Sequence, residues 1–318
     1  MLVKLSKKRE TMMLIAMFLT CVGAVGIGPV YCIINELYIN FPESTANAAI
    51  SLMTLSQLVS GPILPLVSRK LGIKNTLVIG AILFAVASFF FAKVTSSFLL
   101  ILLSILLGIS FAVMTAVPAY ALVQVYNDTH RREKVLGWYM VAMGAVGAMI
   151  TYISGWLGSI QWNYAMYTNL LGILVAIVCA VFLPNELNSV SKELKEEQNN
   201  SGRKKHMGSG FWLLVVSYFL GFIILSVMNV YISVYVEDAG LGNPSLVAGR
   251  YGTIVQIVGL VAGLICGWFC SKLKGATGGI LIGLMTVGIA IAYVVPGNFA
   301  VYFNAFVIGM FQSISYSF

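Results

Sequence analysis

Long apolar runs, each about as long as a membrane-crossing helix, follow one another along almost the whole of this 318-residue chain. Hydrophobic residues make up 59% of the sequence and charged residues only 9%, whereas soluble domains carry charge on about a quarter of their positions. Inside a bilayer only helices and closed barrels satisfy the backbone, and runs of ~20 residues are much longer than barrel strands. The sequence therefore predicts an all-α integral membrane protein.

The apolar runs predict ten spans in two groups. The first six end near Ile34, Ser68, Ala92, Val125, Leu157 and Leu183, and the last four begin near Phe211, Ala248, Gly278 and Phe299. Between the groups lies one long polar stretch with no apolar periodicity, which predicts a linker. The expected domains are a six-helix bundle at 1–184, the linker at 185–210 and an incomplete bundle of about four helices at 211–318. Gly26 and Pro29 predict a bent first helix.

The cations are distributed unevenly between the two sides that this topology defines. Of the 19 Lys and Arg residues, only Lys93 and Arg250 fall on one side, and all the others fall with the N-terminus and the linker. Because cytoplasmic loops collect Lys and Arg, the N-terminus and the linker are predicted to be cytoplasmic in a multi-pass protein of the cell membrane. The net charge of +8 is then a feature of topology, and no nucleic-acid partner is expected.

Residue types that carry chemistry are sparse. The five cysteines lie in or beside apolar runs, and no third ligand accompanies Cys266 and Cys270, so no metal site is predicted. His130 and His206 lie in predicted loops. The sequence contains neither the G-x-x-x-x-G-K-[ST] phosphate-binding loop nor a Ser-His-Asp arrangement. We therefore expect no cofactor and no enzymatic activity.

A short basic turn ends the second apolar run, in the sequence GPILPLVSRKLG at residues 61–72. It resembles the signature turn between the second and third helices of the major facilitator superfamily, which reads roughly G-x-x-x-D-R-x-G-R-R. Lys70, Gly72 and Lys74 match that pattern, while Pro65 stands at its first Gly and Arg69 at its Asp. The retained part is a tight turn with cations on the cytoplasmic side.

The resemblance extends to the organisation of the whole chain. Residues 61–71 can be laid over residues 263–273, so that Lys70 meets Lys272, and both stretches end the second helix of their half. Two such halves are the plan of the facilitator transporters. The stretches 131–137, 155–164 and 237–242 also resemble the family, most closely its drug-efflux-like branch. That family usually has twelve spans, so the chain is expected to lack two at its C-terminal end.

The resemblance implies a secondary transporter that moves small organic solutes by alternating access, most simply as an exporter. Its expected partners are a small-molecule substrate, the lipid bilayer and a proton or another coupling ion. Two departures count against classical drug–proton antiport: the family's antiporter Gly-Pro would fall at Ile150-Thr151 and its fourth-helix Arg at Ser104, and these residues are absent. They keep a membrane sensor or partner subunit that does not transport as one alternative. The other alternative is nutrient uptake by the same fold.

The candidate site residues are the polar side chains of the spans, because transport in this architecture depends on polar groups that face a central cavity. Each of them could instead form an interhelical hydrogen bond. The candidates for substrate binding are Gln57, Tyr120, Gln124, Asn229, Tyr231, Tyr235, Gln256, Asn304 and Gln312. Glu36 and Arg250 are candidates for a gate or for ion coupling, with a solvated acid and a snorkelling cation as the alternatives. The conformational turn is assigned to Gly61, Arg69, Lys70, Gly72, Lys74 and Lys272.

Overall fold

The structure, a computed structural model, describes residues 7–126, 128–188, 229–273 and 297–315, and a few residues between 283 and 294. Side chains are described as far as residue 262 in the third of these ranges and residue 311 in the last. Throughout these ranges the regular structure is helical, as predicted. Seven of the described helices are long and apolar enough to cross a membrane.

The first span is interrupted rather than continuous. It consists of α1 (Lys7–Leu19), α2 (Cys21–Ala24) and α3 (Gly28–Cys32), and α4 (Ile34–Asn40) follows it. The longest gap falls at residues 25–27, where the glycines and Pro29 predicted a bend. Pro29 has no N–H and therefore cannot donate to the carbonyl of Val25, as the residue in that position of a regular helix would do. Beyond the predicted end of the first span near Ile34, the chain remains helical to Asn40 in α4.

Five further helices complete the first group of spans. They are α5 (Glu43–Leu71), α6 (Ile73–Phe91), α7 (Ser97–Val125), α8 (Thr129–Ile160) and α9 (Leu171–Phe182), which follows the 3₁₀ helix Trp162–Leu170. Hydroxyls in these helices bond to the preceding turn, as Ser104 Oγ does to the carbonyl of Leu100 at 2.8 Å. Such bonds satisfy a polar side chain where water is excluded.

Three helices are described in the rest of the chain. They are α10 (residues 229–238), α11 (Pro244–Leu273) and α12 (Asn298–Ser315). The linker beyond Asn188, the start of the seventh predicted span and most of the ninth lie outside the described residues. The end of the tenth predicted span, beyond Ser315, also lies outside them.

The contacts divide the chain into two units. The first contains residues 1–27, 37–146 and 163–203, and the second contains residues 28–36, 147–162 and 204–318. In the first unit α5 packs closely on α7, where a methyl group added to Gly108 would meet Ser56 and the backbone of Met53. In the second unit the apolar core joins α10, α11 and α12. The domain boundaries inferred from the sequence remain a prediction.

Candidate functional site

The basic turn between α5 and α6 takes the form that its glycine allows. Gly72 has a φ of +88°, a conformation that residues with a side chain rarely adopt, and this reverses the chain after α5. Asn188 reaches this turn from the start of the linker, where its Oδ1 accepts a hydrogen bond from the N–H of Lys74 at 3.0 Å. Lys74 Nζ donates to Asn185 Oδ1 at 2.9 Å. The turn is thus held by the end of the first group of spans.

The other assigned turn residues differ in their surroundings. Arg69 is half-buried and Lys70 is exposed, while nothing lies within 4 Å of the position that a Cβ at Gly61 would take. The side chain of Lys272 lies outside the described residues. The contacts that link the turn to Asn185 and Asn188 are made at Gly72 and Lys74.

A second cluster at this basic end was not predicted from the sequence. Glu10 Oε1 accepts hydrogen bonds from the hydroxyl of Tyr126 at 2.8 Å and from Nη2 of Arg131 at 2.7 Å. Burial, and then the bond to Glu10, raise the pKa of Tyr126 above its usual value. Arg9 forms an exposed ion pair with Glu186 at 3.2 Å. The acid in the N-terminal segment was the available signal, because a carboxylate at the edge of an apolar span needs a partner.

Small residues form a tight junction at the opposite end of the spans, within the second unit. A methyl group added to Gly155 of α8 would lie 2.5 Å from Cα of Gly249 in α11. A methyl group added to Gly252 would lie 2.6 Å from Cγ2 of Thr151, and a methyl group added to Gly28 would lie 2.8 Å from Oγ1 of Thr151. We call this contact of α3, α8 and α11 the glycine junction. Backbones can approach so closely only where side chains are absent.

Two polar contacts across the glycine junction are given by the described residues. Thr253 Oγ1 of α11 lies 3.2 Å from the carbonyl oxygen of Ala148 in α8 and also bonds within its own helix. The thiol of Cys32 points at the carbonyl oxygen of Thr151 at 4.0 Å. Thr151 is one of the two positions where the antiporter Gly-Pro is missing. The sequence signal for the α11 side was the spacing of Ser245, Gly249 and Gly252, which puts three small residues on one helix face.

Glu36 lies at the same end, one residue after a bond that joins α4 to α10. The N–H of Asn35 donates to Ser233 Oγ at 3.2 Å. One turn beyond Ser233, Glu237 brings a second carboxylate toward Glu36. Burial, and then the charge of Glu237, raise the pKa of Glu36 above its ordinary value of 4.5. Arg250, the other gate candidate, is exposed on α11.

The polar candidates of the first unit lie on α5 and α7. Tyr120 and Gln124 share a face of α7, and the hydroxyl of Tyr120 and Oε1 of Gln124 are both buried with no hydrogen-bond partner in the described part of the chain. Gln57 is half-buried on α5. Buried polar atoms normally find partners, so Tyr120 and Gln124 remain the strongest candidates in this unit for contact with a polar solute.

The candidates of the second unit are more varied. Asn304 is buried, and its amide nitrogen donates to the carbonyl of Gly288 at 2.8 Å and to that of Ala300, one turn earlier in its own helix, at 3.0 Å. Tyr231 is exposed on α10, and Asn229, Tyr235 and Gln256 are half-buried. The side chain of Gln312 lies outside the described residues. Tyr251, which the sequence did not single out, is 1% exposed, and its hydroxyl has no partner among the described residues.

Comparison with known structures places this helical arrangement among transporters. A bacterial homologue of the human lysosomal transporter Spinster, in an inward-facing and occupied conformation, has a TM-score of 0.76, 14% identity, and coverage of 98% of this chain and 74% of its own. A D-xylose–proton symporter has a TM-score of 0.65 and 17% identity over 94% of this chain and 80% of its own. The xylose transporter XylE from E. coli, in a partially occluded inward-open conformation, has a TM-score of 0.71 and 14% identity over 97% of this chain and 85% of its own.

Identities at this level indicate a shared fold. No curated protein sequence shows a significant match to this chain. The sequence model described as Major Facilitator Superfamily matches residues 13–318, which is nearly the whole chain. The described helices, the two groups of spans and the transporter neighbours agree with that match and indicate a transporter rather than an enzyme. The chain belongs to the major facilitator superfamily.

Proposed function

We propose that this protein exports small, partly apolar organic molecules across the cytoplasmic membrane by alternating access. The glycine junction is the observation that carries the alternating-access part of the proposal. It joins segments of the first group of spans, α3 and α8, to α11 of the second group. A transporter of this kind must close one end of its path completely and then open it again.

The chemistry of the glycine junction suits reversible closure. Close backbone approach gains dispersion energy, while the two polar contacts described across the junction leave little to break when it opens. No ionised pair is described in the contact, so opening would not expose an unpaired charge to lipid. These properties support its assignment as the gate at the end opposite the basic turn.

The proposed substrate class follows from the residues offered to a solute. Tyr120 and Gln124 present a hydroxyl and an amide oxygen, and both are neutral. Neutral hydrogen-bonding groups in apolar surroundings suit a solute with a few polar groups and a largely apolar body. Export is inferred from the resemblance to the drug-efflux-like branch. Uptake is the second candidate, because the D-xylose–proton symporter has the same fold.

The test is substrate flux into proteoliposomes over a panel of drugs and metabolites, with variants of two glycines in the same helix. Gly155→Leu places a bulky side chain against Gly249 and Ser245. Because the gate could then no longer close, we expect at least a tenfold loss of flux with protein still inserted. Gly137→Leu is the matched control, since nothing lies within 4 Å of a Cβ at that position.

Two results would contradict the proposal. Gly155→Leu protein that transports as fast as Gly137→Leu protein would remove the glycine junction as a gate. Solute binding without flux in the unmodified protein would instead favour the sensor alternative. Solute accumulation driven by an imposed proton gradient, measured in right-side-out and in inverted membrane vesicles, distinguishes export from uptake.

A further inference from the structure

The interruption of the first span lies between two parts with different attachments. On its N-terminal side, Glu10 of α1 belongs to the cluster with Tyr126 and Arg131. On its C-terminal side, Gly28 and Cys32 of α3 belong to the glycine junction. The division of the chain into two contact units falls at the same place, between Ile27 and Gly28. If α3 changes its packing when the gate opens, the interruption is where the backbone must adjust.

One buried side chain from another span is bonded to this interruption. Asn169, in the 3₁₀ helix of the sixth span, donates from Nδ2 to the carbonyl oxygen of Gly26 at 3.1 Å. Asn169 is 1% exposed. Because a carbonyl oxygen can only accept a hydrogen bond, the nitrogen of the Asn169 amide, and not its oxygen, must face Gly26. Oδ1 of Asn169 is left buried, with no partner among the described residues.

The surroundings of Asn169 are otherwise suited to an apolar side chain. One turn along the sixth span, Gly172 packs against Ala81 and Phe84 of α6, and Phe84 also fills the space beside Gly26. Ser88 lies one turn beyond Phe84 in α6. The hydroxyl of Ser88 is likewise buried without a partner in the described ranges. An unpartnered buried oxygen is costly, so packing alone does not account for an asparagine here.

We propose that Asn169 is a positioning residue for transport, which holds the interruption of the first span through the carbonyl of Gly26. This rests on the proposed alternating access, in which the gate formed by α3 must open and close. In a regular helix the carbonyl of Gly26 would accept a hydrogen bond from a backbone N–H one turn later. The interruption removes that donor, and the side-chain amide of Asn169 replaces it. The bond also ties the longest gap in the first span to the sixth span. Loss of the donor should therefore change the shape of the first span more than it changes overall stability.

The experiment measures the distance across the first span and α4 and needs no substrate. Spin labels are attached at Lys8→Cys and Ile39→Cys, both exposed, in the purified full chain with its native cysteines replaced by alanine. Their separation is measured by double electron–electron resonance in nanodiscs. Asn169→Leu removes the donor at nearly constant volume, and Asn169→Ala does so without any new bulk. We expect both variants to broaden or shift the distance distribution by several Å, with at most a few degrees of change in melting temperature.

The matched control is Thr168→Val in the same 3₁₀ helix. Thr168 is buried, and its hydroxyl donates to the carbonyl of Ala165 in its own helix, so Thr168→Val tests whether loss of any buried hydrogen bond in this helix changes the distribution; we expect that it does not. Unchanged distributions in both Asn169 variants would overturn the inference, as would an equal change in Thr168→Val. Absence of flux from the unmodified chain would contradict the proposed function and not this result, since the distances are measured without transport.

Discussion

The sequence locates the basic turn between α5 and α6, but Gly72 determines its backbone conformation. Its φ of +88° is strained for any residue with a side chain, and the space where a Cβ would stand is already occupied by Asn188. We predict that Gly72→Val lowers the free energy of unfolding by about 2 kcal/mol or more, the usual cost of such backbone strain plus a displaced neighbour. Thermal unfolding in detergent measures this. Gly61→Val is the control, because nothing lies within 4 Å of a Cβ at that position. An equal loss of unfolding free energy in both variants would contradict the role assigned to Gly72.

Glu36 gives a prediction about pH. Its pKa is raised in the folded protein by burial and by Glu237, so folding disfavours its charged form. Below the ordinary pKa of 4.5, Glu36 is protonated in both the folded and the unfolded protein, so its burial removes no stability through charge. Above the raised pKa it is ionised in both, and the full cost of burying its charge beside Glu237 is present. Glu36→Gln should therefore raise the melting temperature at pH 7.5, and this gain should disappear by about pH 4. Glu43→Gln, which removes an exposed acid near the same end, controls for the change in net charge. A gain that is independent of pH would contradict the prediction.

At the scale of elements, α6 depends on a residue from far along the chain. Its first helical residues follow a glycine, which has no side chain to cap them, and Asn188 supplies the acceptor instead. We predict that Asn188→Ala costs about 1 kcal/mol of stability, as loss of an N-cap does, and speeds hydrogen exchange at the N–H of Lys74. Asn185→Ala is the matched control, because its partner is the exposed ammonium of Lys74, where such pairs contribute little. Equal exchange in both variants would contradict the capping role.

The sequence predicted the positions of the spans better than those of the shorter helices and of the contacts between distant segments. Hydropathy located the first six spans, because each must be long and apolar to cross the bilayer. It missed the helix at Ile34–Asn40, since polar residues at a membrane surface can be helical or not. It gave no sign that Asn188, at the start of the predicted linker, caps α6. Such contacts join residues that are distant in sequence, and periodicity within one segment carries no information about them.

At the scale of the whole molecule, sequence reasoning found the family and the candidate residue types but not their grouping. Asn304 was chosen for the same reason as Gln124, yet its amide is held by two carbonyls while Oε1 of Gln124 is buried without a described partner. The glycine junction was missed for a related reason. Small residues mark close contacts, but their partners become evident only when Gly155 and Gly249 are seen together.

Orientation is the remaining prediction at this scale, and it rests on the distribution of cations. The clustering of Lys and Arg at the N-terminus, the basic turn and the linker should hold that side in the cytoplasm, because positive segments resist translocation. A cysteine introduced at Thr95, an exposed position between α6 and α7, should react with a membrane-impermeant maleimide in intact cells. One introduced at Asn199, a linker position outside the described residues, should react at least tenfold less in cells and fully in inverted vesicles. Since both variants differ from the same background by one thiol, reversal of the two labelling patterns would place the basic end outside and overturn the assigned topology.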